Sequence, residues 1–177
     1  MTVPRSKVVG LLIDAWVDLD RVVEGLTAEV ALEPLDGGSS FAWTVAHVAN
    51  VLDATTNVRF RRVAPHPYIG KDEFRFGGTG AADDWGAVLK GMREVRVLTR
   101  DYLSGLDDDD LDRVVPYDGF LPHLIGKNIS LQYSIFRSIA HHYFHIGEIA
   151  SKRDRLGHSV GDYPGRLESS WYVGCPD

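Results

Sequence analysis

The chain has 177 residues, 44% of them hydrophobic and 25% charged, enough for one domain with a proper core. Its net charge of -6 argues against a general nucleic-acid binder and against a polybasic membrane anchor, both of which carry an excess of Lys and Arg. The one cysteine, Cys175, excludes an intramolecular disulfide and fits a reducing cytoplasm.

The opening MTVPRSKVVGLLIDAW has a short apolar run that Asp14 interrupts. It reads as neither a signal peptide nor a membrane span. The first helix is expected from about Ser6 to Val30, because Val9, Leu12, Trp16, Leu19, Val23 and Leu26 recur at steps of three and four. Asp14, Asp18, Arg21 and Glu24 fall on its other faces. The breaker Glu33-Pro34-Leu35-Asp36-Gly37-Gly38 follows.

A second helix, capped by Ser39 or Ser40, is expected to run to about Arg62. Trp43, His47, Val51 and Ala54 share a stripe on it, so His47 faces inward. An inward histidine is commonly a buried ring bonded to a carbonyl, and it can also be a metal ligand. Residues Val63 to Asp83 are rich in proline and glycine and form a long connection. Its His66, Tyr68, Phe74 and Phe76 either fold over a pocket or pack as a crossover on the bundle surface.

The third helix is expected from Asp83 or Asp84 to Ser104, with Gly86 and Gly91 as weak points. The acidic run Asp107 to Asp110 lacks the alternating ligands, central glycine and closing glutamate of a calcium loop, and reads as a solvated turn. Val114 and Val115 are expected to pair with Phe120 and Leu121 across Tyr117-Asp118-Gly119. His123 follows in a loop, where it can approach a metal or a substrate. The fourth helix is expected from Asn128 or Ser130 to Leu156, with Gly157 as its stop. Residues 158–177 form a tail whose Trp171-Tyr172 pair points to docking. Four amphipathic helices give an all-α four-helix bundle with long irregular connections, in a single domain over residues 1–177.

The chemistry concentrates in SIAHHYFHIGEIA, which holds three of the seven histidines. Residues four apart on a helix lie about 40° from each other around the axis, so His141 and His145 project from one face. His142 and His145, about 60° apart, are also compatible with a shared ion. His141 and His142 differ by about 100° and do not share one easily. A third ligand is expected from His47. Three neutral imidazoles suit zinc, nickel, iron or copper and leave a coordination position open, as catalytic sites do. Glu148 can orient a ligand, act as a base, or form a surface ion pair.

The segment HHYFHIGEI, with its H-x-x-x-H followed by Ile-Gly-Glu-Ile, resembles the last-helix motif of the DinB superfamily. FAWTVAHVANV resembles that family's second-helix segment, which carries the remaining ligand. The link LTAEVALEPLDGGSSFAW is similar to the family's connection between helices one and two. The resemblance implies His47, His141 and His145 as ligands of a divalent metal in a four-helix bundle that is often a homodimer. It also implies transfer chemistry on a low-molecular-weight thiol such as mycothiol or bacillithiol. The leading expectation is therefore a cytoplasmic, metal-dependent thiol S-transferase acting on a small-molecule substrate, with zinc or nickel favoured and iron acceptable. A metal-dependent hydrolase with Glu148 as catalytic base is one alternative. A stress-related metal-binding protein without catalysis is the other.

Overall fold

The computed structural model describes residues 6–35, 37–119, 121–161 and 164–169. Helix α1 spans Lys7–Val23 and is capped by Ser6, whose hydroxyl accepts the Val9 amide. It ends well before Val30. Gly25, at φ 76°, takes a left-handed conformation that glycine adopts without strain. Thr27 then caps a separate short helix, α2 (Ala28–Leu32). The expected single helix is thus two, and the Gly-x-Thr signal lies in the sequence.

Helix α3 spans Phe41–Leu52 behind the Ser40 cap. The expected continuation to Arg62 is not α-helical. Asp53–Val58 form a π-helical stretch, and the Thr55 hydroxyl donates to the Val51 carbonyl, a back-bond that competes with regular helix geometry. Helix α4 spans Trp85–Leu103, with the Asp84 carboxylate accepting the Ala87 amide, as expected. Gly91 on α4 has a specific role: a Cβ there would meet Ile69 Cγ1 at 2.6 Å, so glycine lets the preceding connection lie against the helix.

Two short strands follow, β1 (Val114–Pro116) and β2 (Asn128–Ser130). They pair antiparallel in the register Val114 to Ser130, Val115 to Ile129 and Pro116 to Asn128. The expected partner of β1 was nearer in sequence. Leu121 instead gives its amide to the Tyr117 hydroxyl, and Phe120 lies outside the described residues. Ser130 ends β2 and caps α5 (Leu131–Arg155).

Helices α1, α3, α4 and α5 form the bundle: α5 packs on α1 and α3, and α3 also packs on α4. The core between them holds Leu12, Trp16, Leu19, Phe41, Leu52, Ile135, Ile146 and Ile149. Full burial of each such side chain is worth about 1.5–3 kcal/mol, and this sets which faces of α3 and α5 meet. Asp14 and Asp18, placed outside the apolar stripe by sequence, are buried. Their carboxylates accept the Ser169 and Gly165 amides. They therefore hold part of the tail on α1, which satisfies the buried carboxylates. Trp171, Tyr172 and Cys175 lie outside the described residues. Among the described residues no helix is long and apolar enough to cross a membrane.

Candidate metal centre

The α3–α5 interface brings His47, His141 and His145 together, with one ring nitrogen from each inside a group no wider than 4.8 Å. His141 Nε2 lies 3.2 Å from His47 Nε2 and 3.2 Å from His145 Nε2. A tetrahedral ion with bonds near 2.1 Å would hold its nitrogen ligands about 3.4 Å apart. The two 3.2 Å separations match that geometry, and the widest one, up to 4.8 Å, closes by about 1.4 Å when all three rings hold one ion. Among the described residues this is the group of histidine, cysteine or carboxylate side chains placed to hold an ion, and no fourth such residue joins it.

The orientation of two rings is fixed from outside the cluster. His47 Nδ1 donates to the Phe74 carbonyl at 2.7 Å, which leaves its Nε2 as a lone pair in the neutral ring. His145 Nδ1 donates to Glu148 Oε2 at 2.7 Å, with the same consequence. The buried carbonyl-bonded histidine and the metal-ligand histidine are thus two ends of one ring in His47. His141 differs: its Nδ1 is buried without a hydrogen-bond partner among the described residues.

The long connection between the bundle helices explains why His47 holds its angle. Trp43 Nε1 donates to the Glu73 carbonyl, and the Asn50 amide donates to the Ile69 carbonyl. With His47, these residues dock the connection along three successive turns of α3. Trp43 also stacks on the His47 ring, with centroids 4.8 Å apart and planes 7° apart. Phe74 is buried and Phe76 is exposed. The crossover reading of this segment fits better than the pocket lid, and its carbonyls support the site from behind.

Glu148 is engaged at both oxygens. Oε2 accepts His145, while Oε1 accepts Lys152 Nζ at 2.6 Å and the Ser39 hydroxyl at 3.1 Å. Lys152 Nζ also donates to the Ser39 carbonyl, tying the start of α3 to the end of α5. The hydrogen bond from His145, with Lys152 behind it, holds the Glu148 carboxyl down at about 2. Burial lowers the pKa of His47. Burial also pushes His141 down to about 2, followed in importance by the other imidazoles and then by Arg137. Three converging imidazoles and one anchored carboxylate at a largely buried interface make a donor set suited to a divalent cation.

The remaining candidates lie elsewhere. His142 is buried on another face, its Nδ1 donating to the Ser138 carbonyl. His66 Nδ1 accepts the amides of Tyr68 and Ile69, and its Nε2 meets Glu94 on α4. It is an anchor for its own loop. Tyr68 donates to Asp83, and His123 is exposed on a short helical turn. None of these four joins the three-histidine group. Sequence reasoning offered Ser39 only as an alternative cap for the second helix and did not single out Lys152, and their contact spans 113 residues.

The sequence profile of the DinB superfamily matches residues 11–149. The chain belongs to the DinB superfamily. No curated protein matches it. Its fold is similar to that of YfiT from Bacillus subtilis, at 20% sequence identity and a TM-score of 0.56, covering 86% of this chain and 87% of that one. YfiT is described as "a probable metal-dependent hydrolase with an unusual four-helix bundle topology". For this DinB member the likeness establishes the four-helix bundle, and the matched span includes all three clustered histidines.

Proposed function

We propose that the protein is a divalent-metal-dependent enzyme, with His47, His141 and His145 as the ligands and a low-molecular-weight thiol as co-substrate for S-transfer to an electrophile. The observation that carries this reading is the convergence of three Nε2 atoms with two of the rings locked in the ligating tautomer. Zinc and nickel are the best-suited ions, and imidazole nitrogens also accept iron. A divalent ion there supplies Lewis acidity, which lowers the pKa of a thiol or water in the open position.

The chain's own residues favour the thiol. Glu148 has both oxygens committed to His145, Lys152 and Ser39, so it positions His145 and is not free to take a proton. A thiol, with an ordinary pKa of about 8.5, ionises with far less help than water at about 15.7. The Phe74 carbonyl and Trp43 fix His47, and the Ser39–Lys152 pair fixes Glu148. These contacts hold the site's side chains from the protein side. The likeness to YfiT supports a second reading, metal-dependent hydrolysis, in which water takes the thiol's place.

The test is a paired assay on metal-loaded full chain. One arm offers a small thiol with monobromobimane, and the other offers ester and amide panels without thiol. Thiol-dependent product that disappears with chelator and in His145→Ala is the expected result. Thiol-independent ester or amide cleavage with the same sensitivities would replace it with the hydrolase reading. Turnover that survives both chelator and His145→Ala would overturn both.

A further inference from the structure

Arg137 stands one turn before His141 on α5, and Phe144 stands three residues after it. At about 100° per residue all three fall within about 60° around the helix, and Arg137 and Phe144 lie about 10 Å apart along its axis. The edge therefore reads cation, candidate ligand, aromatic ring. Arg137 is half-buried, and its charge acts on His141. The other arginines that are not exposed, Arg21, Arg59, Arg61, Arg96 and Arg153, each donate to a carboxylate or a backbone carbonyl. Arg137 has no such acceptor among the described residues.

A guanidinium held partly out of water is best satisfied by a planar anion that takes two of its N–H groups at once. The next cation along this side of α5, Lys152, is already bonded to Glu148 and Ser39. A single unsatisfied guanidinium matches a single negative charge, which favours a carboxylate over a phosphate. On the other side of His141, Phe144 is 71% exposed. Its ring meets His145 edge-on, with centroids 5.0 Å apart, and its faces remain open to a flat apolar group.

We propose that Arg137 receives the carboxylate of the substrate and Phe144 its apolar body, so that the substrate is an organic acid with an aromatic or apolar part. It would lie across the mouth of the three-histidine group. This deepens the enzymatic reading above and rests on it for the reacting centre. Arg137 and Phe144 are specificity-determining residues in this account, and neither is needed to hold an ion.

The test is calorimetric titration of the zinc-loaded full chain with phenylpropionate and with the neutral phenylpropanol, alongside metal content on the same samples. The acid should bind at least about tenfold more tightly than the alcohol, as expected for a charge-assisted pair. Arg137→Gln should erase that preference with metal content unchanged, and Arg137→Lys should retain part of it. Phe144→Ala should weaken acid and alcohol alike. Equal affinity of wild type and Arg137→Gln for the acid, or no binding of the acid by wild type, would overturn the proposal. A protein that takes up no zinc would instead sink the metal reading, and the same titrations on that protein still decide the role of Arg137.

Discussion

His141 and His142 are neighbours in the chain and opposites in the fold. His142 is buried in the bundle, and its Nδ1 ends on a carbonyl of its own helix. His141 turns toward α3, its Nε2 meeting two other ring nitrogens and its Nδ1 meeting nothing among the described residues. Burial pushes both down, His141 to about 2 and His142 to about 3. A depressed pKa therefore does not tell the two apart. What separates a structural histidine from a candidate ligand here is the convergence of lone pairs.

The strongest way to break this comparison is to remove each ring in turn. His47→Ala, His141→Ala and His145→Ala should each weaken metal affinity by more than the 10–100-fold typical of a supporting residue, or about two orders of magnitude and beyond. His142→Ala should leave it unchanged in a competitive chelator titration. Metal loss in His142→Ala with retention in His141→Ala would reverse the assignment. His142→Ala should instead destabilise the fold by about 2–4 kcal/mol, through a cavity and a lost buried hydrogen bond, read by chemical denaturation of the metal-free protein.

The acid limb sharpens the same contrast. In the folded state His142 titrates near 3, against about 6.5 in the unfolded chain. Between those values the unfolded state binds the extra proton, so stability is fully present above about pH 6.5 and falls as pH drops toward 3. His142→Gln lacks that proton uptake. The stability gap between it and wild type should therefore narrow below pH 6.5, and a gap constant from pH 7 to pH 5 would contradict the buried neutral ring.

Glu148→Gln should weaken metal affinity by about 10–100-fold, because a neutral amide still reaches His145 but no longer holds Lys152 as an ion pair. An unchanged affinity would make Glu148 a surface charge pair with no hold on the site. The smallest effect belongs to Ser40→Ala, which removes the α3 cap at about 1 kcal/mol in thermal denaturation, with metal content intact.

The bundle and the histidine pairing were legible because both follow from helical period. His47 was marked by its stripe with Trp43, and His141 with His145 by a four-residue step. The step alone left His142 open, and the family resemblance favoured His141, the ring that lies beside His47 and His145. Less was legible where long-range contacts decide. The Phe74 carbonyl that fixes His47 comes from a connection whose glycines and prolines carry no pattern. Ser39 and Lys152 meet only after α3 and α5 pack. The strand partner of β1 was sought too near, since a tyrosine hydroxyl took the amide that a hairpin would have used. Asp14 and Asp18 read as lying off the apolar stripe, yet both are buried, with their carboxylates accepting amides of the returning tail. Arg137 gave no signal, because an arginine on a helix is ordinary until its lack of an acceptor is seen.

The central claim is that three imidazoles share one divalent ion, and X-ray absorption at the metal edge of the purified full chain tests it most directly. The account predicts a first shell at about 2.0–2.1 Å with the outer-shell scattering of three imidazole rings, unaltered in His142→Ala. An ion surrounded without imidazole, or a full chain that retains no divalent metal, would contradict it.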